Sequence, residues 1–153
     1  MDRYPGELDA GRVGIRGWSF GGYLSALAVL RRPDVFRAAV AGAPVSDWRY
    51  YDTAATERFL GHPASHPDAY ERTSLLPLAA GLTRPLLLVH GLADDNVHPR
   101  HTLLLAGELL AASRPHRLLM LPGVTHMVWQ PSVIEAMLRA QAGFFGRWLA
   151  PGT

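Results

Sequence analysis

Short, nearly continuous apolar runs alternate along this chain with longer segments whose apolar positions recur at helical spacing. Residues 12–18 (RVGIRGW) read as a short strand ending in a turn, and residues 21–30 as an apolar segment of helix length. Arg31-Arg32-Pro33 stops that segment, because a proline disfavours helical geometry at the residue before it. Residues 36–43 (FRAAVAGA) read as a second strand of small apolar residues, closed by Pro44. Residues 48–77 are rich in aromatic and polar side chains and carry helical stretches without strand alternation. Residues 85–90 (PLLLVH) form a continuous apolar run between turn signals, the pattern of a strand buried on both faces. A leucine-rich helix is expected over 101–112, a further buried strand over 117–121, and a closing amphipathic helix from Ser132 to Leu149 with Ser132 as its N-cap.

This order of strands and helices predicts a single α/β domain of about four mostly parallel strands, flanked by helices on both faces in three layers. Sheets of this kind carry their working residues at the carboxyl ends of the strands, so three turns hold the candidate chemistry. Composition narrows the options further. Hydrophobic content of 48% and charged content of 18% fit a globular domain, and no apolar run approaches the length of a membrane span. There is no cysteine, which excludes thiolate catalysis and cysteine-ligated metals. All 15 basic residues are arginine, scattered with one adjacent pair, so no stripe suited to nucleic acid is present. No His/Asp/Glu spacing argues for a metal, and no cofactor is expected. The first twelve residues show no secretory leader, which makes a cytoplasmic location the expectation.

The first turn reads Gly17-Trp18-Ser19-Phe20-Gly21, a G-x-S-x-G. At background frequencies of about 7% for Gly, and similar for Ser, that pattern arises by chance in about one chain in twenty of this length. Its place between a strand-like run and a helix-length apolar segment is what gives it weight. There a serine sits on a strained strand-to-helix turn, its hydroxyl lifted above the sheet, and the helix N-terminus favours a developing oxyanion. The second turn, His90-Gly91-Leu92-Ala93-Asp94-Asp95-Asn96-Val97, offers a carboxylate just past a strand end. Spacing alone leaves Asp94 and Asp95 both open as the acid that orients a catalytic imidazole. The third, Pro122-Gly123-Val124-Thr125-His126-Met127, offers a histidine that can reach back over the sheet. The order Ser, Asp, His is that of α/β-hydrolases. Among the other histidines, His90 reads as a hydrogen-bonded structural residue, and His62, His66, His98, His101 and His116 as solvated or capping residues.

Together GWSFGGY, APVSDWRYYDTAATERF, HGLADDNVH and GVTHM resemble the catalytic domain of the prolyl oligopeptidase family, closest to its dipeptidyl peptidase IV-like branch. The resemblance implies a serine peptidase with Ser19 as nucleophile, His126 as base and Asp94, rather than Asp95, as the acid. It implies the Phe20 backbone amide as an oxyanion donor and Asn96 as a contact to the substrate carbonyl. It further implies an S1 pocket lined by Tyr23, Val45, Trp48, Tyr51 and Val97, suited to proline or alanine, with peptides as substrates. An esterase or acyl-peptide hydrolase using the same triad is the alternative. In the branch a third pocket tyrosine stands where this chain has Ala55, so a wider S1 site is expected. The resemblance covers the part of the family's domain from the nucleophile strand onward. The chain is therefore expected to be a partial α/β-hydrolase fold lacking the earlier strands, the propeller and a second oxyanion donor. Val13 and Ile15 would then lie on an open edge, where self-association or pairing with the rest of the enzyme is expected; poor catalysis is expected of the chain alone, with an inactive fragment that requires the missing half as a further alternative.

Overall fold

In the computed structural model, which describes residues 8–150, four strands lie side by side in chain order. The polar stretch at residues 1–7 that bears on a leader lies outside the described residues. The strands are β1 (Gly14–Trp18), β2 (Ala38–Gly42), β3 (Leu86–Gly91) and β4 (Arg117–Leu121), and every neighbouring pair is parallel. Five α-helices accompany them: α1 (Phe20–Arg31), α2 (Thr53–Leu60), α3 (Pro67–Thr73), α4 (Arg100–Ala111) and α5 (Pro131–Trp148). Parallel neighbours need crossover connections, and each of α1, α4 and the segment 43–85 supplies one. Helix α1 ends at Arg31 with Arg32 as its C-cap, as Pro33 requires.

Burial follows the pleat. Every residue of β2 and β3 is buried, because both faces of the central strands are covered. Ala39, Ala41, Leu86 and Leu88 face one core with Tyr23, Ala26 and Val29 of α1 and Leu105 and Leu109 of α4. Ala38, Val40, Leu87 and Val89 face the other, where Phe144 of α5 and Val124 pack. The pairings Trp18↔Gly42, Gly42↔Val89 and Gly91↔Leu121 end β1 and β2 together and β3 and β4 together, the second pair two residues further on. The three turns are thereby gathered at one end of the sheet.

Two expectations are corrected. The strand at 117–121 is an outer strand with Arg117 and Leu118 exposed, so its apolar run is buried on one face only. Helix α5 begins at Pro131, with Gln130 as N-cap and no side-chain cap bond, so Ser132 does not cap it. Proline at the first helical position has its ring dihedral already set for the helix and loses no hydrogen bond there. At the opposite edge, β1 has β2 as its one partner among the described residues. At this edge Val13, just before the strand, and Ile15 are half-buried, and Ile15 packs against the first core.

Candidate active site

Ser19 joins β1 to α1 at φ 59°, ψ −120°, a backbone conformation that L-residues rarely adopt. Strain of this kind costs about 1–3 kcal/mol and persists only where the surroundings enforce it. Here the Ser19 N–H donates to the Gly42 carbonyl at 2.9 Å, and the Ser19 carbonyl accepts from Tyr23 N–H at 3.0 Å. A Cβ on Gly17 would stand 2.2 Å from the Gly21 carbonyl oxygen, so only glycine lets the strand pass this close to the helix. Phe20 is the first residue of α1, where a main-chain amide has no carbonyl within the helix to bond.

The second and third turns bring an aspartate and a histidine together. His126 Nδ1 lies 2.8 Å from Asp94 Oδ2, and Asp94 is 2% exposed. Asp95 is exposed, so the structure brings Asp94 and not its neighbour to the imidazole. The other oxygen, Asp94 Oδ1, accepts from the Asn96 N–H at 3.0 Å and the Val97 N–H at 2.9 Å. Trp18 Nε1 donates to the His126 carbonyl at 2.9 Å, tying the histidine turn to the residue before Ser19. Among the described residues, Ser19 Oγ and His126 share no hydrogen bond.

Beside Ser19 opens a cavity of about 610 Å³, walled by Phe20, Tyr23, Val45, Trp48, Tyr51 and Ala55, among others. Its aromatic rings brace one another. Tyr23 and Trp48 meet edge-on at 5.2 Å, and Trp48 and Tyr51 at 5.7 Å. The Tyr23 hydroxyl donates to the Thr73 carbonyl at 3.1 Å, and the Tyr51 hydroxyl to Asn96 Oδ1 at 2.8 Å. Behind this wall, Asp47 is buried and accepts from the Arg49 N–H and the Ser74 hydroxyl, which fixes the turn that carries Trp48. Val97 does not line the cavity: it is fully buried and serves through its backbone, as described above for Asp94. Phe59 and Leu60 of α2 also line it, and sequence spacing did not mark them. Their helical distance from Ala55 on an otherwise polar helix was the available signal.

His90 is the structural histidine expected, wholly buried with both ring nitrogens engaged. His62 and His98 accept from backbone amides two residues on, as capping residues do. His101 departs from the expectation. It is buried on the inner side of α4, where Nδ1 accepts from the Ser46 N–H at 3.2 Å. Burial pushes its pKa down to about 4 from the usual 6.5. The unfolded chain therefore binds a proton that the folded chain refuses. The stability this confers is complete above pH 6.5 and is lost as pH falls toward 4, by about 3 kcal/mol in all. Urea midpoints measured across that range should fall in the parent. His101→Asn, whose Oδ1 can accept the Ser46 N–H, should lack this component. Among the described residues no group of three or more acidic or histidine side chains is placed to hold a metal, and no helix is long and apolar enough to cross a membrane.

A parallel sheet with a strained serine elbow and an acid–histidine pair at its carboxyl end is the arrangement of the α/β-hydrolase fold. The model of the prolyl oligopeptidase family matches residues 5–152, and the chain belongs to that family. It is 45% identical over 127 residues to human dipeptidyl peptidase 8, an alignment covering 81% of this chain and 14% of the relative. A probable dipeptidyl-aminopeptidase B of Aspergillus clavatus is 41% identical over 105 residues, covering 67% of this chain and 11% of the relative. The crystal structure of Porphyromonas gingivalis dipeptidyl peptidase 4 superposes with a TM-score of 0.90 at 37% identity, over 93% of this chain and 20% of that one. The chain thus spans a small part of the length of each relative.

Proposed function

We propose that this chain carries the catalytic triad of a serine peptidase that cleaves peptides through an acyl-enzyme. The observation that carries the reading is the 2.8 Å Asp94–His126 pair set beside a serine held at positive φ. Ser19 Oγ attacks the scissile carbonyl carbon and its proton passes to His126 Nε2, while Asp94 holds the Nδ1–H and stabilises the imidazolium. The Ser19–His126 hydrogen bond that this step needs forms when substrate is bound. The oxyanion accepts from the Phe20 N–H. Collapse of the tetrahedral intermediate breaks the C–N bond, and His126 returns the proton to the leaving amine. Water then repeats the sequence on the ester, freeing Ser19. Tyr51 occupies Asn96 Oδ1, which leaves the Asn96 amide N–H groups for a substrate carbonyl. The names of the relatives favour release of dipeptides, with an apolar P1 side chain in the aromatic cavity.

A fluorophosphonate probe followed by peptide mapping tests the assignment. Ser19 is the expected site of modification, and labelling elsewhere, or none, would remove it as the nucleophile. Matched ester and peptide substrates then separate a peptidase from an esterase.

Ala55 is exposed on α2 and lines the cavity. Its small side chain should admit P1 residues bulkier than proline. Ala55→Tyr should restore discrimination worth roughly 1–3 kcal/mol, a ten- to two-hundredfold shift toward proline and alanine in kcat/KM. An unchanged P1 profile in the variant would exclude position 55 from the pocket.

A further inference from the structure

Behind the Asp94–His126 pair lies a second imidazole that the reaction above does not use. His90 sits in β3, 0% exposed, with Nε2 2.7 Å from the Val97 carbonyl and Nδ1 2.7 Å from Thr102 Oγ1. A carbonyl can only accept, so Nε2 bears the proton. Burial lowers the pKa of His90 and keeps the ring neutral, so Nδ1 accepts from the Thr102 hydroxyl. Thr102, itself fully buried on α4, thus engages the other ring nitrogen and holds the ring in place. The same Nε2–H edge lies 3.4 Å from Asp94 Oδ2, the oxygen that receives His126. Val97 is gripped from both sides: its carbonyl by His90 and its N–H by Asp94 Oδ1.

We propose that His90, set by Thr102, is a positioning residue for the catalytic acid, locking the 94–97 turn around the Asp94 carboxylate so that Oδ2 meets His126. The proposal rests on the triad reading given above. A neutral donor is what this place requires. A cation there would draw the carboxylate away from His126 and weaken its pull on the imidazolium, whereas an apolar residue would leave the Val97 carbonyl buried without a donor. The titratable groups facing His90 are Asp94 and His126 from the two turns and His101 from α4.

The test compares side chains by reach in the full chain. The amide of His90→Gln extends to the place of Nε2 and can donate to Val97, and that of His90→Asn reaches only the place of Nδ1. Gln is expected to retain kcat within about tenfold, and Asn to lose about a hundredfold with KM little changed, the scale on which outer partners of a functional histidine are felt. Thr102→Val should lower kcat and shift the far-downfield proton resonance of the His126–Asp94 hydrogen bond, and Thr102→Ser should restore both. Equal kcat in the Gln and Asn variants, or a folded Thr102→Val with parental kcat and an unmoved resonance, would overturn the assignment of His90 alone. If the parent is not labelled at Ser19 and shows no such resonance, the triad reading falls and this inference with it.

Discussion

Asp94→Asn is expected to leave the fold intact and to lower kcat by about three to four orders of magnitude. Two backbone amides, those of Asn96 and Val97, point at Oδ1. In the variant the amide oxygen must occupy that place, because an NH₂ group there would face two donors. The NH₂ is then turned toward His126 Nδ1. An imidazole meeting a donor at Nδ1 carries its proton on Nε2, which is the nitrogen that must accept from Ser19. The variant therefore holds the base in the unreactive tautomer and supplies no charge to stabilise its protonated form. Circular dichroism should match the parent while turnover of a peptide or activated ester collapses. A loss of less than tenfold in a folded variant would show that Asp94 is not the acid.

The same residues show what could be read from the sequence and what could not. Strand positions and the parallel order follow from apolar runs separated by helical segments, since a strand covered on both faces has no polar alternation to blur it. The three turns follow because the chemistry concentrates at strand ends. Choosing Asp94 over Asp95 required either the resemblance to a family or the structure, because adjacent carboxylates differ only in which way the backbone aims them. His101 was misread because it follows His98-Pro99-Arg100, a proline-containing stretch, and α4 starts close enough to turn it inward. Val97 was placed on the pocket wall, yet its working groups are its N–H and C=O, which no side-chain pattern encodes. The outer position of β4 was hidden for a similar reason: Leu118 is apolar, and 45% exposed all the same.

The glycines in and beside the elbow give the largest expected effects on stability, and the motif does not sort the tight positions from the open ones. Gly21 completes G-x-S-x-G, yet a Cβ there would meet nothing within 4 Å. Gly22, outside the motif, would place its Cβ 2.1 Å from the Gly42 carbonyl oxygen and 3.0 Å from its carbon. Those are backbone atoms of β2, held on the far side by pairing with β3, so they cannot yield as a flexible side chain would. The alternative is for α1 to lift from the sheet, opening the core around Ala26 and Val29. The Gly42 carbonyl is also the acceptor for Ser19 N–H, so the displacement acts directly on the strained elbow. Gly22→Ala should cost at least about 3 kcal/mol, the upper end of what overpacking imposes. Gly21→Ala should be neutral or stabilising by up to about 1 kcal/mol, as alanine is the better helix former. Denaturant midpoints of the two variants decide the matter. If Gly22→Ala lies within 1 kcal/mol of the parent, roughly the size of an ordinary substitution, the close crossing of α1 over β2 is not what holds Ser19 in place.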